Sequence, residues 1–297
     1  MEIDLRCTLL TPRMNTSYTP STQARTWFIT GASSGIGFEL TRAALRRGDR
    51  VAALSRNVEA LSALRDEYPS LLLTLGADVT SEEAVADAVK RTIAQFGSID
   101  VVANNAGYGL FGAVEEATDA QARAIFDTNV FGVLNVLRAT LPFLRAQGSG
   151  HILQGSSLYG QFAHSGVGLL AATKFAVEGL SEALLQEVAP LGIKVTMVQP
   201  GATETPFLAN LAFTEPTAAY DGTVGEVKRA IEAAPAGSGI DAALVAEGML
   251  AVVDSATPPA RIALGAAGEA AMRAALEARL TEMSEWSAVA HSVEKAA

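Results

Sequence analysis

The sequence predicts a doubly wound α/β domain: a mainly parallel, seven-stranded sheet with helices on both faces. Three observations predict it. Short runs rich in Val, Ile and Leu alternate with segments of helical period along most of the 297 residues. The runs are mainly apolar, as strands covered on both faces are, whereas half-exposed strands alternate polar and apolar residues. A glycine-rich turn, Thr30 to Gly37, separates the first run from the first helical segment.

Strands are expected at 27–30, 51–55, 71–75, 99–103, 150–154, 193–198 and 261–264. Helices are expected between them at 35–47, 58–67, 81–96, 118–146 and 168–189, where apolar residues recur at three- and four-residue intervals. Asn57 and Ser81 stand before two of these segments with the small polar side chain that an N-cap uses. Strand–helix alternation in this order implies parallel pairing through right-handed crossovers. Beyond Gly201 the alternation lapses. Residues 203–260 hold Thr, Pro and Gly clusters with short helical stretches, the pattern of a cover over a ligand site. A last helix is expected at about 267–287. Residues 1–25, rich in Thr, Ser and Pro and without a sustained period, are expected to be an N-terminal extension to a single domain spanning 26–297.

Composition narrows the function. The formal charge is −10, with 32 acidic and 22 basic residues, and the Lys and Arg residues are dispersed. That balance argues against nucleic acid as a partner. Cys7 is the single cysteine, so neither an intrachain disulfide nor a multi-Cys zinc site is expected. His151, His164 and His291 match no metal-ligand spacing, and no metal is expected. No apolar run reaches the roughly 18 residues of a membrane span. The N-terminal stretch has no basic start followed by a long apolar core. A cytoplasmic protein without a membrane partner is expected.

The turn Thr30-Gly31-Ala32-Ser33-Ser34-Gly35-Ile36-Gly37 follows a strand and opens a helix. Gly31 permits the tight turn. Gly35 and Gly37 let the backbone approach a pyrophosphate and let the helix pack close to the sheet. The helix N-terminus then offers unpaired N–H groups to the anion, the dinucleotide-binding Rossmann arrangement. The second strand ends Ser55-Arg56-Asn57, about 20 residues past the glycines, where an acid would bond a ribose 2′-hydroxyl. Arg56 instead suits a 2′-phosphate, so NADP(H) is expected over NAD(H).

This turn, then Asn104-Asn105-Ala106-Gly107, then Ser156-Ser157, then Thr173-Lys174, resembles the short-chain dehydrogenase/reductase family in order and spacing from about Thr26 to Gly201. The resemblance implies hydride transfer between a nicotinamide cofactor and a carbonyl–alcohol pair. It implies that Gly31, Ser34, Gly35, Ile36 and Gly37 hold the pyrophosphate and that Asp78 and Val79 hold the adenine. Asn105, Ala106 and Gly107 would line the cofactor, and Pro200, Gly201 and Thr205 would lie beside the carboxamide. By the same resemblance Asn129 orders a water near the lysine, Ser157 orients the carbonyl, and Lys174 bonds the nicotinamide ribose.

One position departs from the family pattern. The family's catalytic tyrosine lies four residues before the lysine and thirteen after the serine, and both counts fall on Leu170. The family's tyrosine donates the proton to the carbonyl oxygen, its pKa lowered by the lysine. A leucine neither donates nor accepts. Three readings stay open: an engineered or damaged site in an otherwise ordinary reductase; a natural variant that keeps activity through another donor; and a catalytically weak nicotinamide sensor or ligand-binding protein. Tyr159 is the leading alternative donor, ahead of Tyr108 and His164, and a water held by Lys174 and Asn129 is a further source. Phe207, Leu208, Leu211, Phe213 and Tyr220 in the expected cover point to an apolar or bulky substrate. The helices at 118–146 and 168–189 carry more apolar surface than one sheet face needs. They resemble the subunit-pairing helices of the family, so a homodimer or homotetramer is expected.

Overall fold

A computed structural model describes residues 24–207, 210–235 and 237–293. The elements run β1 (Thr26–Thr30), α1 (Gly35–Arg46), β2 (Arg50–Ser55), α2 (Ser62–Glu67), β3 (Leu72–Gly76), α3 (Glu82–Phe96), β4 (Val101–Asn104), β5 (Leu110–Phe111), α4 (Asp119–Phe126), α5 (Gly132–Gln147), β6 (Gly150–Gly155), α6 (Gly168–Val188) and β7 (Ile193–Pro200). There follow β8 (Thr203–Glu204), β9 (Ala212–Phe213), α7 (Glu226–Glu232), β10 (Ile240–Asp241), α8 (Ala242–Asp254), β11 (Arg261–Leu264), α9 (Ala266–Glu285) and α10 (Ser287–Ser292).

Seven strands form one parallel sheet in the order β11-β7-β6-β4-β1-β2-β3. The seven strands expected from sequence are these, with ends shifted by two residues or fewer. Successive residues of β1 serve opposite faces, as the period of a strand requires. Trp27 and Ile29 enter a core with Leu40, Ala44, Val245 and Met249, under α1 and α8. Phe28 enters the other core with Val85, Val136, Ile152 and Val177, under α3, α5 and α6. The strand order turns back between β1 and β4, so the loops after these two strands diverge and leave a crevice at their carboxyl ends.

Ser81 caps α3 as expected, its Oγ accepting the Ala84 N–H at 3.3 Å. Asn57 caps nothing. The turn of 3₁₀ helix at Glu59–Leu61 begins after Val58 without a side-chain cap, and the Asn57 N–H donates instead to Ser55 Oγ at 3.1 Å. The helix expected over 118–146 is three pieces, with a π-helical turn at Asp127–Phe131 between α4 and α5. The cover expected over 203–260 is shorter. Its last part is α8, which is core: Val245, Ala246, Met249, Leu250, Val252 and Val253 are buried, packed with α1 residues. An all-round apolar helix of this kind has no polar face to mark its period. Among the described residues, no helix is long and apolar enough to cross a membrane. Cys7, Leu208 and nearly all of the expected extension at 1–25 lie outside the described residues.

His151 on β6 is 5% exposed. Its Nε2 lies 3.0 Å from Thr196 Oγ1, whose own hydrogen goes to the Pro259 carbonyl at 2.7 Å, so Nε2 is the donor. Burial, with Lys194 and Arg25 adding to it, holds the imidazole pKa down at about 4, below its ordinary 6.5. The unfolded chain therefore takes up this proton first as the pH falls. The stability this histidine contributes is full above pH 6.5 and is lost towards pH 4, by up to about 3 kcal/mol. We expect the urea midpoint of His151→Leu to fall less than that of the wild type across that window. An equal fall in both would remove His151 as the cause.

Candidate active site

A cavity of about 770 Å³ opens at the carboxyl ends of β1, β4, β6 and β7. The glycine turn forms one wall. Gly31 and Gly35 have φ of +66° and +52°, a region that penalises any Cβ. A Cβ on Gly37 would lie 2.3 Å from the Gly31 carbonyl oxygen and 2.5 Å from Asn105 Nδ2. Thr30 ties this turn to the next: its Oγ1 accepts the N–H groups of Asn105 at 3.1 Å and Ala106 at 3.0 Å, while Asn105 Nδ2 donates to the Thr30 carbonyl at 3.1 Å. Ser34 begins α1 in extended conformation and its side chain makes no cap bond, so the first N–H groups of the helix are left for a ligand.

The other expected binding residues line the same cavity: Ile36, Arg56, Asp78, Val79, Ala106, Gly107, Pro200, Gly201 and Thr205. Arg56 is exposed and its guanidinium lies 4.0 Å from Asp78 Oδ2. Ser55 Oγ, one residue before it, bonds Ser33 Oγ in the glycine turn at 2.6 Å. Val79 is buried, and its carbonyl accepts from Asn135 Nδ2 at 2.9 Å. Thr205 reaches the glycine turn from the far side, its Cβ 3.0 Å from where a Gly35 Cβ would stand.

Of the expected reactive groups, Ser157 and Lys174 line that cavity, and Asn129 stands against its lining residues Gly107 and Tyr108. Ser157 follows β6, and its Oγ accepts the Tyr159 N–H at 3.2 Å. Lys174, on the second turn of α6, donates from Nζ to the Gly155 carbonyl at 2.7 Å. Burial lowers its pKa to about 8, and the Glu178 charge one turn along partly opposes that. Asn129 is buried in the π-helical turn, a feature frequent at functional sites. Its Oδ1 accepts the Tyr108 N–H at 3.1 Å, and its Nδ2 donates to the Tyr108 carbonyl at 2.9 Å and to Thr173 Oγ1 at 3.1 Å. The amide thus fixes Tyr108 at the cavity and ties it to the lysine helix.

Leu170 is 4% exposed and packs with Leu110 and Ile125, with Tyr108, Tyr159 and Phe207 against that cluster. It lines the cavity alongside Lys174, Ser157 and Tyr159. The Tyr159 hydroxyl lies 2.7 Å from His164 Nε2, and His164 is exposed. Burial raises the Tyr159 pKa above its ordinary value. The Tyr108 pKa is raised as well, by burial first and then by Asp127.

The apolar cover residues divide. Phe207 lines the cavity. Leu211 packs on Gly109, Phe213 is exposed beside Phe111, and neither they nor Tyr220 are among the lining residues described. Tyr220 stands by Glu115, which raises its hydroxyl's pKa. The apolar lining of the cavity includes Leu158, Tyr159, Leu170, Pro206 and Phe207.

Glu178 escaped the sequence reading. It is 5% exposed and accepts from Gln199 Nε2 at 2.9 Å, Gln161 Nε2 at 3.2 Å and Arg261 Nε at 2.8 Å. It thereby joins α6 to β7, to β11 and to the segment after Tyr159. The available signal was its place four residues after Lys174, which puts the two on one helix face.

A family model described as short chain dehydrogenase matches residues 25–215. The chain is 38% identical over 242 residues to Oxidoreductase BOA17 of Botryotinia fuckeliana, a match covering 80% of this chain and 88% of that protein. Among solved structures, a short-chain dehydrogenase from Streptomyces avermitilis is similar with a TM-score of 0.86 at 36% identity, covering 92% of this chain and 100% of that one. An alcohol dehydrogenase from Thermococcus sibiricus, complexed with 5-hydroxy-NADP, is similar with a TM-score of 0.68 at 25% identity, covering 82% and 96%.

Proposed function

The chain belongs to the short-chain dehydrogenase family of oxidoreductases, and on that premise we propose that it interconverts a carbonyl compound and an alcohol with NADP(H). The observation that carries this reading is the meeting of the glycine turn, Ser157 and Lys174 on one cavity. The residues present fit a dinucleotide. Gly31, Ser34, Gly35 and Ile36 of the glycine turn line the cavity, and α1 begins without a side-chain cap. Gly31, Ser34, Gly35, Ile36 and Gly37 would hold its pyrophosphate, Asp78 and Val79 its adenine, and Asn105, Ala106 and Gly107 its central part. Pro200, Gly201 and Thr205 would close over the carboxamide. A nicotinamide, when bound, supplies or takes up the hydride.

The chain's own groups do the rest. Ser157 Oγ orients the carbonyl oxygen. The Lys174 ammonium holds the ribose and places positive charge near the oxygen that becomes negative in reduction. Asn129 fixes Tyr108 and the lysine helix and orders the relay water. The wall of Leu158, Tyr159, Leu170 and Phe207 favours an apolar or bulky substrate.

Leu170 stands, in this reading, where the family's tyrosine stands, so the proton comes from another group, with Tyr159 as first candidate. The burial of Leu170 among apolar side chains also favours a second reading, a nicotinamide-binding sensor without turnover. NADPH binding by fluorescence, followed by NADPH oxidation over a panel of apolar ketones and aldehydes, separates the two. Tight binding with no oxidation by the wild type or by Leu170→Tyr would leave the sensor.

Arg56 carries the cofactor preference. Arg56→Ala is expected to weaken NADPH binding about tenfold, some 1.4 kcal/mol, with NADH affinity little changed. Parallel losses for both cofactors, measured by titration, would count against a 2′-phosphate contact. The exposed Phe131, Phe143 and Phe175 on the helices around 118–189 support a homodimer or homotetramer, which sedimentation would detect. A cytoplasmic setting is part of the same proposal.

A further inference from the structure

We propose that Tyr159 and His164 form a proton-relay pair replacing the hydroxyl absent at Leu170, with His164 as the positioning residue that links the Tyr159 phenol to solvent. The inference rests on the oxidoreductase reading above.

Tyr159 lines the cavity with Ser157 and Lys174, and its ring packs against the cluster that contains Leu170. Its backbone N–H is held by Ser157 Oγ at 3.2 Å. The ring meets Phe162 edge-on, 5.9 Å between centroids, and His164 edge-on at 5.1 Å. The phenol is thus anchored at its backbone, on its ring and at its hydroxyl. It is half-buried, whereas His164 is exposed, so the pair runs from cavity to water.

The hydrogen bonds fix the tautomer. His164 Nδ1 lies 2.9 Å from the Ser165 carbonyl oxygen, which only accepts, so Nδ1 carries the hydrogen. In the neutral ring Nε2 is then the acceptor, and the Tyr159 O–H at 2.7 Å points to it. The groups bonded to the imidazole are the Tyr159 hydroxyl and the Ser165 carbonyl. Burial alone raises the Tyr159 hydroxyl's pKa, with no charged side chain contributing, so the phenol keeps its proton at neutral pH.

With the ring neutral, the pair is set for alcohol oxidation. A bound oxidised nicotinamide would take up the hydride from the substrate C–H bond as the C=O bond forms. The substrate hydroxyl proton passes to Tyr159 Oη as the phenol's own proton passes to His164 Nε2. The imidazolium then sheds a proton to water. Reduction runs the reverse course: the carbonyl carbon gains hydride and its oxygen takes the phenol's proton. Imidazolium Nε2–H restores that proton, and water reprotonates the ring.

The test measures kcat/KM for NADPH-driven reduction of apolar carbonyl compounds in the wild type, Tyr159→Phe, His164→Gln and Leu170→Tyr. NADPH affinity is measured in each, and the imidazole resonances of the ligand-free chain are recorded by NMR at fixed pH. Tyr159→Phe is expected to lower kcat/KM about 10²–10⁴-fold at unchanged NADPH affinity. His164→Gln should also lower kcat/KM at unchanged NADPH affinity, and Tyr159→Phe should shift the His164 imidazole resonances at fixed pH, as loss of the bond to Nε2 requires. Wild-type rates in both Tyr159→Phe and His164→Gln would overturn the pair while leaving the oxidoreductase reading intact. Activity in Leu170→Tyr alone would do the same. Binding with no turnover in any form would remove the reading and the pair together.

Discussion

Lys174→Met is expected to lower kcat/KM by roughly 10²–10⁴-fold, the range for a positioned group of proton chemistry. The same substitution should cost little in folding stability. Lysine and methionine have similar length, and the ammonium is a charge that burial disfavours, as its pKa of about 8 records. What the variant loses is the bond from Nζ to the Gly155 carbonyl, worth about 1 kcal/mol. The pH profile adds a sign. Lys174 is charged below about pH 8, so the wild-type reduction rate should fall as the pH rises through that value, and Lys174→Met should lose that limb. A limb that survives in Lys174→Met belongs to another group, and a rate equal to the wild type would remove Lys174 from the chemistry.

Glu178→Ala is expected to destabilise the fold by about 3 kcal/mol, because it strands the groups gathered on a buried carboxylate. Arg261, Gln199 and Gln161 all lose their acceptor, and Arg261 keeps only Glu182, at 3.3 Å. The midpoint of urea unfolding measures this. Glu178→Gln should cost less, since an amide oxygen still accepts one of these bonds. Both substitutions should also lower the Lys174 pKa, because the Glu178 charge is what offsets burial there. A Lys174 inflection unmoved in Glu178→Gln would make Glu178 purely structural.

Strands were the legible part of this fold. A parallel strand buried on both faces has to be apolar along its length, and β1 is buried at every position. Turns that need glycine were legible for the same kind of reason: few other residues adopt the φ of Gly31 or clear the contact at Gly37. The π-helical turn at Asp127–Phe131 was not legible. It adds a residue to the winding, and no residue type in Asp127–Phe131 demands that extra residue as a positive φ demands glycine. Helix α8 was hidden by its uniform apolarity. The contact between Tyr159 and His164 depends on how a loop folds over five residues, which no periodicity encodes. Glu178 reads in sequence as a solvated charge. Its burial follows from Arg261, 83 residues away, arriving on β11.

The place of β1 in the sheet also bears on how the chain is made. It is the first strand of the sheet to leave the ribosome, yet it pairs with β2 and with β4, whose partner to Trp27 is Val101. The glycine turn behind it is walled by Ala106 and Thr205, the latter 170 residues beyond Gly35. At 5–20 residues per second, the turn waits roughly 10–35 s between its own synthesis and its enclosure. During that interval Trp27, Phe28 and Ile29 have only part of their final neighbours. The nascent chain therefore offers an apolar strand to chaperones, or to another copy, long before it can hold a ligand.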